Sequence, residues 1–134
     1  MKILIAEDDM ASRRFLSQFL SRFGQCDMTV DGMETIEAFL MSIEDNDPYD
    51  LVCLDIMMPK VDGVKVLKAM REIEKQKNIS DDKKVKVIMT TALSESQLVY
   101  KSFEIGCDAY ASKPIDTDRL IDVMKKLGLI EGNV

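Results

Sequence analysis

Five short apolar runs alternate along this chain with longer segments that have helical periodicity. The runs occupy residues 3–6, 26–30, 51–54, 85–89 and 109–111. The first and third runs are continuously apolar, which is typical of strands buried on both faces of a parallel sheet. Strands that alternate with helices require right-handed crossovers, and these generate a doubly wound sheet. The pattern therefore predicts an α/β fold, flavodoxin-like, with five parallel strands in the order 2-1-3-4-5 and five helices.

Four of the intervening segments carry an apolar stripe at helical spacing. The stripes are Phe15, Leu16, Phe19, Leu20 and Phe23; Met33, Ile36, Phe39, Leu40 and Ile43; Val66, Leu67, Met70 and Ile73; and Leu120, Ile121, Met124 and Leu127. Gly24 and Gly128 are predicted to end the first and last helices, and Asp116 to cap the last one. The remaining helix, about residues 94–105, has no narrow apolar face. It is either lightly packed at an edge, or free to move or to bind a partner.

Length and charge exclude several classes of function. The 134 residues suit one domain, residues 1–134, and the net charge of −6 argues against nucleic-acid binding. The absence of histidine excludes any mechanism that uses an imidazole as ligand, base or carrier. Three widely spaced cysteines form no zinc pattern, and no apolar run is long enough to span a membrane. We expect a soluble, cytoplasmic protein, with residues 74–84 as a solvated helix end and loop.

Polar residues follow four of the predicted strands, at the point where each strand ends. Glu7, Asp8 and Asp9 follow the first strand, Asp55 the third, Thr90 and Thr91 the fourth, and Lys113 the fifth. Taken singly, each has an ordinary structural explanation as a helix cap, a turn residue or a surface side chain. Parallel strands bring their carboxyl ends to one edge, so the pattern predicts a single polar site there.

Clustered carboxylates with no histidine or thiolate nearby favour a hard cation, Mg²⁺ or Mn²⁺. A cation and a lysine around one aspartate are what phosphoryl transfer to that aspartate needs, because its transition state is stabilised mainly by positioning and charge.

Four segments carry a specific resemblance. Residues 3–9 (ILIAEDD), 54–63 (LDIMMPKVDG), 88–92 (IMTTA) and 106–114 (GCDAYASKP) resemble the signature blocks of bacterial response-regulator receiver domains. The resemblance runs from about residue 2 to residue 127. It implies that Asp55 accepts a phosphoryl group from the phosphohistidine of a sensor histidine kinase or phosphotransfer protein. It also implies that Asp9, Asp55 and the backbone carbonyl of Met57 ligate Mg²⁺ directly, and that Asp8 does so through water.

The same resemblance assigns the phosphoryl-binding groups and a switch. Lys113, the Thr91 hydroxyl and the backbone amides of Ile56 and Ala92 would bind the phosphoryl oxygens. Tyr110 would turn inward when Thr91 moves, and the bond from Lys113 to the following proline would be cis. The changing face would be helix 4, strand 5 and helix 5, which would bind an unidentified protein target, with the chain a monomer or a weak phosphorylation-dependent dimer.

Two apolar residues near the predicted site, Met57 and Leu93, cannot orient an attacking water, so we expect slow self-dephosphorylation. One alternative is a Mg²⁺-dependent phosphohydrolase with an aspartyl nucleophile, but such enzymes generally place a second aspartate where this chain has Met57. Another is an interaction module with a vestigial pocket. We expect no output domain after residue 134, and therefore signalling through binding rather than enzymatic turnover.

Overall fold

The computed structural model describes residues 1–92 and 95–132. It contains one parallel sheet in the order β2-β1-β3-β4-β5. The strands are β1 (Lys2–Ala6), β2 (Gln25–Thr29), β3 (Leu51–Asp55), β4 (Lys86–Thr91) and β5 (Ala109–Ser112). The predicted fold class and strand order are confirmed. Because the strands are parallel, all five end at the same edge of the sheet, and the predicted polar residues lie at or just beyond these ends.

Five helices connect or follow the strands. They are α1 (Met10–Leu20), α2 (Gly32–Glu44), α3 (Gly63–Gln76), α4 (Ser96–Ile105) and α5 (Thr117–Lys126), and a short 3-10 helix covers Asp81–Lys83. The predicted start of the fourth helix at residue 94 lies outside the described residues. Asp116 caps α5 as predicted, by accepting hydrogen bonds from two amides of the first turn. Gly128 ends α5 as predicted, with φ at 76° and the next amide bonded back to Met124.

The prediction that Gly24 ends the first helix was wrong. Helix α1 ends at Leu20, and Gly24 lies four residues further on, where its backbone runs against Met1. A Cβ atom at Gly24 would lie 2.1 Å from the Met1 carbonyl oxygen. The glycine is therefore required by this close approach at the start of the sheet, and not by a helix cap.

Apolar layers cover both faces of the sheet. One layer combines Val52, Leu54 and Val87 with side chains of α2, α3 and α4. The other combines Ile3, Ile5 and side chains of α1 and α5. Alternate residues of β3 face opposite layers, so the whole strand is buried, as its continuous apolar run predicts. Two members of the predicted stripes, Phe15 and Met33, are instead exposed.

Part of the segment predicted to be solvated is buried. The Glu74 side chain is 1% exposed, accepts a hydrogen bond from Val85 N at 2.8 Å and pairs with Arg71 at 2.7 Å. Arg71 also donates to the carbonyls of Val85 and Gly106 and pairs with Asp108. This network joins the end of α3 to the start of β4 and the end of α4. The expectation holds for residues 75–78, which are exposed, but not for Glu74.

Helix α4 is lightly packed, which is one of the two alternatives predicted for this helix. Ser102 is its buried residue, and Leu98 and Val99 pack only partly against the core. Tyr100 and Phe103 are exposed. No described helix has both the length and the apolarity that a membrane span requires. The three cysteines are free thiols.

Candidate functional site

Asp55 is the last residue of β3 and is almost fully buried at the carboxyl edge of the sheet. Its neighbour in β4 is Thr90, whose carbonyl accepts a hydrogen bond from Ile56 N at 3.1 Å. Gly63 packs on the other side, where a Cβ atom would lie 2.2 Å from the Asp55 carbonyl oxygen. The backbone around Asp55 is therefore fixed by a strand on one side and by the start of α3 on the other.

Glu7 and Asp8 join Asp55 in one acidic cluster. One carboxylate oxygen from each of the three lies within 4.8 Å of the others. Strand β1 ends at Ala6, so these two acids are the first residues beyond it. Arg13 donates hydrogen bonds to the backbone carbonyls of Glu7 and Asp8, at 3.0 and 3.2 Å, and so holds the short connection into α1.

Asp9 does not join the acidic cluster that the structure describes. Its side chain caps α1 by accepting a hydrogen bond from Ser12 N at 2.9 Å. The predicted metal ligands included Asp8 and Asp9 but not Glu7, although Glu7 was among the polar residues predicted at this edge. The helix-cap explanation stated for these acids applies to Asp9, because an aspartate three residues before a serine amide at a helix start is a standard N-cap.

Lys113 supplies the positive charge. Its Nζ atom lies 2.7 Å from Glu7 Oε1 and 3.3 Å from Asp55 Oδ1. The backbone holds it there, because Lys113 N donates to Thr91 O at 2.7 Å. The Lys113–Pro114 peptide bond is cis, as predicted. Lys113 therefore bridges the two buried acids and leaves the exposed Asp8 carboxylate without this partner.

Burial and the neighbouring charges shift the pKa values of Asp55, Glu7 and Lys113. Burial raises the pKa of Asp55 to about 8, with the neighbouring Glu7 adding to the effect and Lys113 opposing it. Burial also acts on Glu7, but hydrogen bonds with Asp55 and Lys113 outweigh it and hold the pKa of Glu7 below its ordinary value. Burial opposes the charge on Lys113, yet its bonds to Glu7 and Asp55 raise its pKa. Three carboxylates thus meet one lysine in this cluster, and burial favours the protonated form of Asp55.

A hard divalent cation fits this arrangement. Two unit charges 4.8 Å apart repel by about 3.5 kcal/mol at an effective dielectric constant of 20. A cation among Glu7, Asp8 and Asp55 would remove that repulsion, and oxygen-only ligands favour Mg²⁺ or Mn²⁺.

The backbone amides around Asp55 differ from the predicted set. Met57 N donates to Asp55 Oδ1 at 3.3 Å, so the Met57 amide points at the acid. The Ile56 amide is already bonded to Thr90 O, so this conformation does not support its predicted part in phosphate binding. The Ala92 amide donates to Glu95 Oε1 at 3.1 Å.

Thr91 and Tyr110 lie beside a cavity of about 280 Å³ between α4 and β5. Thr91 is buried, and its hydroxyl donates to Ala92 O at 3.0 Å. The Tyr110 ring is half exposed and meets the Phe103 ring edge to face, with 6.2 Å between the centroids. The cavity is thus lined by both residues of the predicted switch, Thr91 and Tyr110.

A sheet edge that buries one aspartate among two further acids and a lysine is suited to accepting a phosphoryl group with a divalent cation. This defines the class of protein as a phosphoacceptor domain built on a flavodoxin-like sheet. Comparison with known families agrees: the sequence model of the response regulator receiver domain matches residues 3–125. The chain belongs to that family and is a receiver domain of two-component signal transduction.

Curated relatives differ in length. The chain is 30% identical to sporulation initiation phosphotransferase F of Bacillus subtilis (strain 168), over 98% of this chain and 97% of that protein. It is 30% identical to chemotaxis protein CheY of Treponema pallidum (strain Nichols), over 90% of this chain and 78% of that protein. It is 34% identical to hybrid signal transduction histidine kinase L of Dictyostelium discoideum, and this match covers 95% of this chain and 7% of the kinase.

Solved structures share the fold. A CheX–CheY–BeF3–Mg²⁺ complex from Borrelia burgdorferi matches with a TM-score of 0.80 and 27% identity, covering 96% of this chain and 89% of that one. A complex of the Saccharomyces cerevisiae phosphotransfer protein Ypd1 with the receiver domain of Ssk1 matches with a TM-score of 0.79, covering 98% and 93%. Its 21% identity supports the fold alone.

Proposed function

We propose that Asp55 accepts a phosphoryl group from a phosphohistidine, with Glu7, Asp8 and Asp55 holding Mg²⁺ or Mn²⁺. The observation that carries the proposal is the gathering of these three acids around the buried end of β3, with Lys113 within 3.3 Å of Asp55. Glu7 replaces Asp9 in the proposed metal set, because Asp9 caps a helix instead. The Met57 carbonyl remains a proposed ligand.

Transfer requires the ionised form of Asp55. A carboxylate oxygen attacks phosphorus, the phosphorus–nitrogen bond of the phosphohistidine breaks, and the leaving imidazole nitrogen takes up a proton. Burial raises the pKa of Asp55 and so opposes this form in the metal-free chain, whereas Lys113 stabilises the carboxylate. A bound Mg²⁺ or Mn²⁺ supplies charge neutralisation at the phosphoryl oxygens.

The phosphoryl group would be held by Lys113, the Thr91 hydroxyl and the amides of Met57 and Ala92. Moving a two-state equilibrium from 1:99 to 99:1 takes about 5.5 kcal/mol of differential interaction. Hydrogen bonds to a charged group contribute about 1.5–3 kcal/mol each, so two or three new bonds suffice. Thr91 would leave Ala92 O to make one of them, and Tyr110 would turn into the cavity beside it.

Met57 supports the proposal of slow self-dephosphorylation. Its side chain is apolar and exposed at the site rim, so it offers no group that orients a water molecule. The second apolar residue of this prediction, Leu93, lies outside the described residues. A label on phosphorylated protein that persists for many minutes without a phosphatase is the expected result, and loss within seconds would contradict it.

The phosphohydrolase alternative is not favoured, because position 57 holds a methionine where a second acid would be needed. We propose signalling by binding rather than turnover. Incubation with a generic phosphate ester and Mg²⁺ should release at most one equivalent of product. Sustained release would support the hydrolase.

We propose a cytoplasmic location and two kinds of partner. The donor would be a sensor histidine kinase or a phosphotransfer protein, and the target would bind the face formed by α4, β5 and α5. In support, a curated relative that matches over 97% of its own length at 30% identity is named a sporulation initiation phosphotransferase. The exposed aromatic residues Tyr100, Phe103 and Tyr110 lie on this face. A monomer or a weak phosphorylation-dependent dimer remains the expected assembly.

The decisive experiment uses acetyl phosphate and Mg²⁺, followed by intact-protein mass spectrometry. The protein should gain one phosphoryl group, and Asp55→Asn should gain none. Asp45→Asn is the matched control, because it removes an exposed carboxylate just after α2 and should leave the gain unchanged. Phosphorylation of Asp55→Asn would move the acceptor to another residue and refute the assignment.

A further inference from the structure

The polar backbone groups of Ala92 are occupied within its own stretch of chain. Ala92 N donates to Glu95 Oε1 at 3.1 Å, and Ala92 O accepts from Glu95 N at 3.1 Å. Ala92 O also accepts the Thr91 hydroxyl at 3.0 Å. The amide and the hydroxyl assigned to the phosphoryl group are therefore both already in use, and the amide is held by a carboxylate.

The Glu95 carboxylate is poorly satisfied where it lies. Its second oxygen, Oε2, is buried and has no hydrogen-bond partner among residues 1–92 and 95–132. An acidic oxygen that is buried without a partner destabilises the arrangement that buries it. The contact with Ala92 is therefore a strong local bond in a conformation that carries a cost.

Ala92 lies close to the proposed phosphoacceptor Asp55 along the neighbouring strand. Thr90 pairs with Asp55 in the sheet, and Ala92 is the second residue beyond that pair. An anion attached to Asp55 and the Glu95 carboxylate would both need the single Ala92 N–H. Two anions do not share one donor favourably, because they repel each other at hydrogen-bonding distance.

We propose that Glu95 is an internal competitor of the phosphoryl group: its carboxylate holds the Ala92 amide in the unphosphorylated protein and is displaced when Asp55 carries the phosphoryl group. This inference rests on the proposed function and adds a residue that sets the affinity of the site for the group. It also identifies what the loading of the site releases, because Glu95 immediately precedes α4.

Release of Glu95 would free one end of α4 and leave the other fixed. Arg71 donates two hydrogen bonds to Gly106 O, at 3.0 and 2.8 Å, just beyond the last residue of α4. Arg71 is itself held by the buried Glu74. A helix held at its C-terminal end and released at its N-terminal end would pivot about Gly106, whose φ of 124° suits a glycine at such a point.

The simpler explanation is that the Glu95 side chain only stabilises the turn before α4, by accepting the amide three residues back as the acid of a capping box does. The two explanations differ in what removal of the charge does. A cap alone makes Glu95→Gln and Glu95→Ala less stable and leaves binding at Asp55 unchanged or weaker. A competitor makes binding at Asp55 tighter in both variants.

The test measures beryllofluoride binding in the presence of Mg²⁺ by calorimetry, with urea unfolding of each protein in parallel. Both variants lose the carboxylate that competes for the Ala92 amide. Glu95→Gln should therefore bind beryllofluoride about tenfold more tightly than the natural chain, and Glu95→Ala should gain at least as much affinity. The affinity for Mg²⁺ alone should stay the same. Glu104→Gln, which removes an exposed charge from the same helix, is the matched control and should bind like the natural chain.

The outcomes separate the two levels of inference. If the natural chain binds beryllofluoride and both Glu95 variants bind it equally or more weakly, the competitor role is wrong and the proposed function stands. If the natural chain itself fails to bind beryllofluoride with Mg²⁺, the proposed function fails and takes this inference with it.

Discussion

The metal-free protein should become less stable as the pH rises from 5.5 to 7.5, and Asp55 should be the cause. Burial beside Glu7 raises the pKa of Asp55 to about 8 in the folded state, whereas an aspartate in an unfolded chain has a pKa of about 3.9. Between these values the folded protein holds a proton that the unfolded chain has lost. Because the folded state binds more protons, the free energy of unfolding falls as the pH rises.

The size of the effect follows from the linkage relation. One proton changes the free energy of unfolding by at most about 1.4 kcal/mol per pH unit. Over the two units below pH 7.5 this amounts to about 2.5 kcal/mol, allowing for partial titration near the upper end. The stabilisation is fully present below about pH 4 and is lost as the pH rises through about 8.

This pH window contains few other titrating groups. The chain has no histidine. Burial raises the pKa of Cys53 to about 12 and that of Cys107 to about 11, and it also raises the pKa of Cys26. The pKa of Glu7 is lowered, so its contribution to stability is retained through this window and is lost only as the solution becomes more acidic. A pH dependence here can therefore be assigned to Asp55.

The assay is urea unfolding followed by circular dichroism at three pH values in buffer containing EDTA. The natural chain should show the decline, and Asp55→Asn should show a flat profile, because an amide does not titrate. Added Mg²⁺ should stabilise the natural chain more at pH 7.5 than at 5.5, since binding must displace the proton. A flat profile for the natural chain, or an equal slope in Asp55→Asn, would refute the assigned charge state.

Three further predictions follow from the contacts around the site and the core. Asp8→Asn should abolish measurable Mg²⁺ binding by calorimetry, whereas Asp9→Asn, which changes the helix cap, should leave Mg²⁺ binding within about twofold and alter stability by under 1 kcal/mol; equal losses would refute the exclusion of Asp9. Glu74→Ala should lower the free energy of unfolding by about 2–3 kcal/mol, because it leaves the buried Val85 amide without its acceptor and removes one of the two carboxylates that pair with Arg71. Glu72→Ala, exposed on the same helix, should change it by under about 0.5 kcal/mol in the same urea assay. Gly63→Ala should destabilise the fold by about 2 kcal/mol or more, because its Cβ atom has no room beside the Asp55 carbonyl; a neutral result would show that α3 can shift.

The fold could be predicted because its signals are local and repeated. Continuous apolar runs identified the buried strands, and the alternation of strands with helices left few possible topologies. The errors concern residues whose environment is set by distant parts of the chain. Glu74 lies in a highly charged stretch, and nothing local shows that Arg71 and the Val85 amide meet it in the core. Phe15 and Met33 fit a helical stripe, yet each lies on its margin and remains exposed.

The backbone groups of the site were harder to predict than its side chains. Lys113, Thr91 and Asp55 follow strand ends that the sequence marks clearly. Which amide faces Asp55 depends instead on the hydrogen-bond register of β3 and β4. That register commits Ile56 N to Thr90 O and leaves Met57 N beside the acid. A shift of the register by one residue would exchange the roles of the two amides, and the side chains of this segment do not indicate which register forms.

The different roles of three consecutive acids follow from the geometry of a short connection. Strand β1 ends at Ala6 and α1 begins at Met10, so only three residues lie between them. The last of these, Asp9, has the extended backbone of a helix N-cap, and its carboxylate satisfies the Ser12 amide that the helix leaves free. Glu7 is the first residue beyond the strand, and its buried side chain reaches Lys113. Only Asp8 is left both exposed and close to Asp55. A cation approaching from solvent therefore meets Asp8 first, and replacing Asp8 and Asp9 together by alanine should cost both the cation affinity and the start of α1.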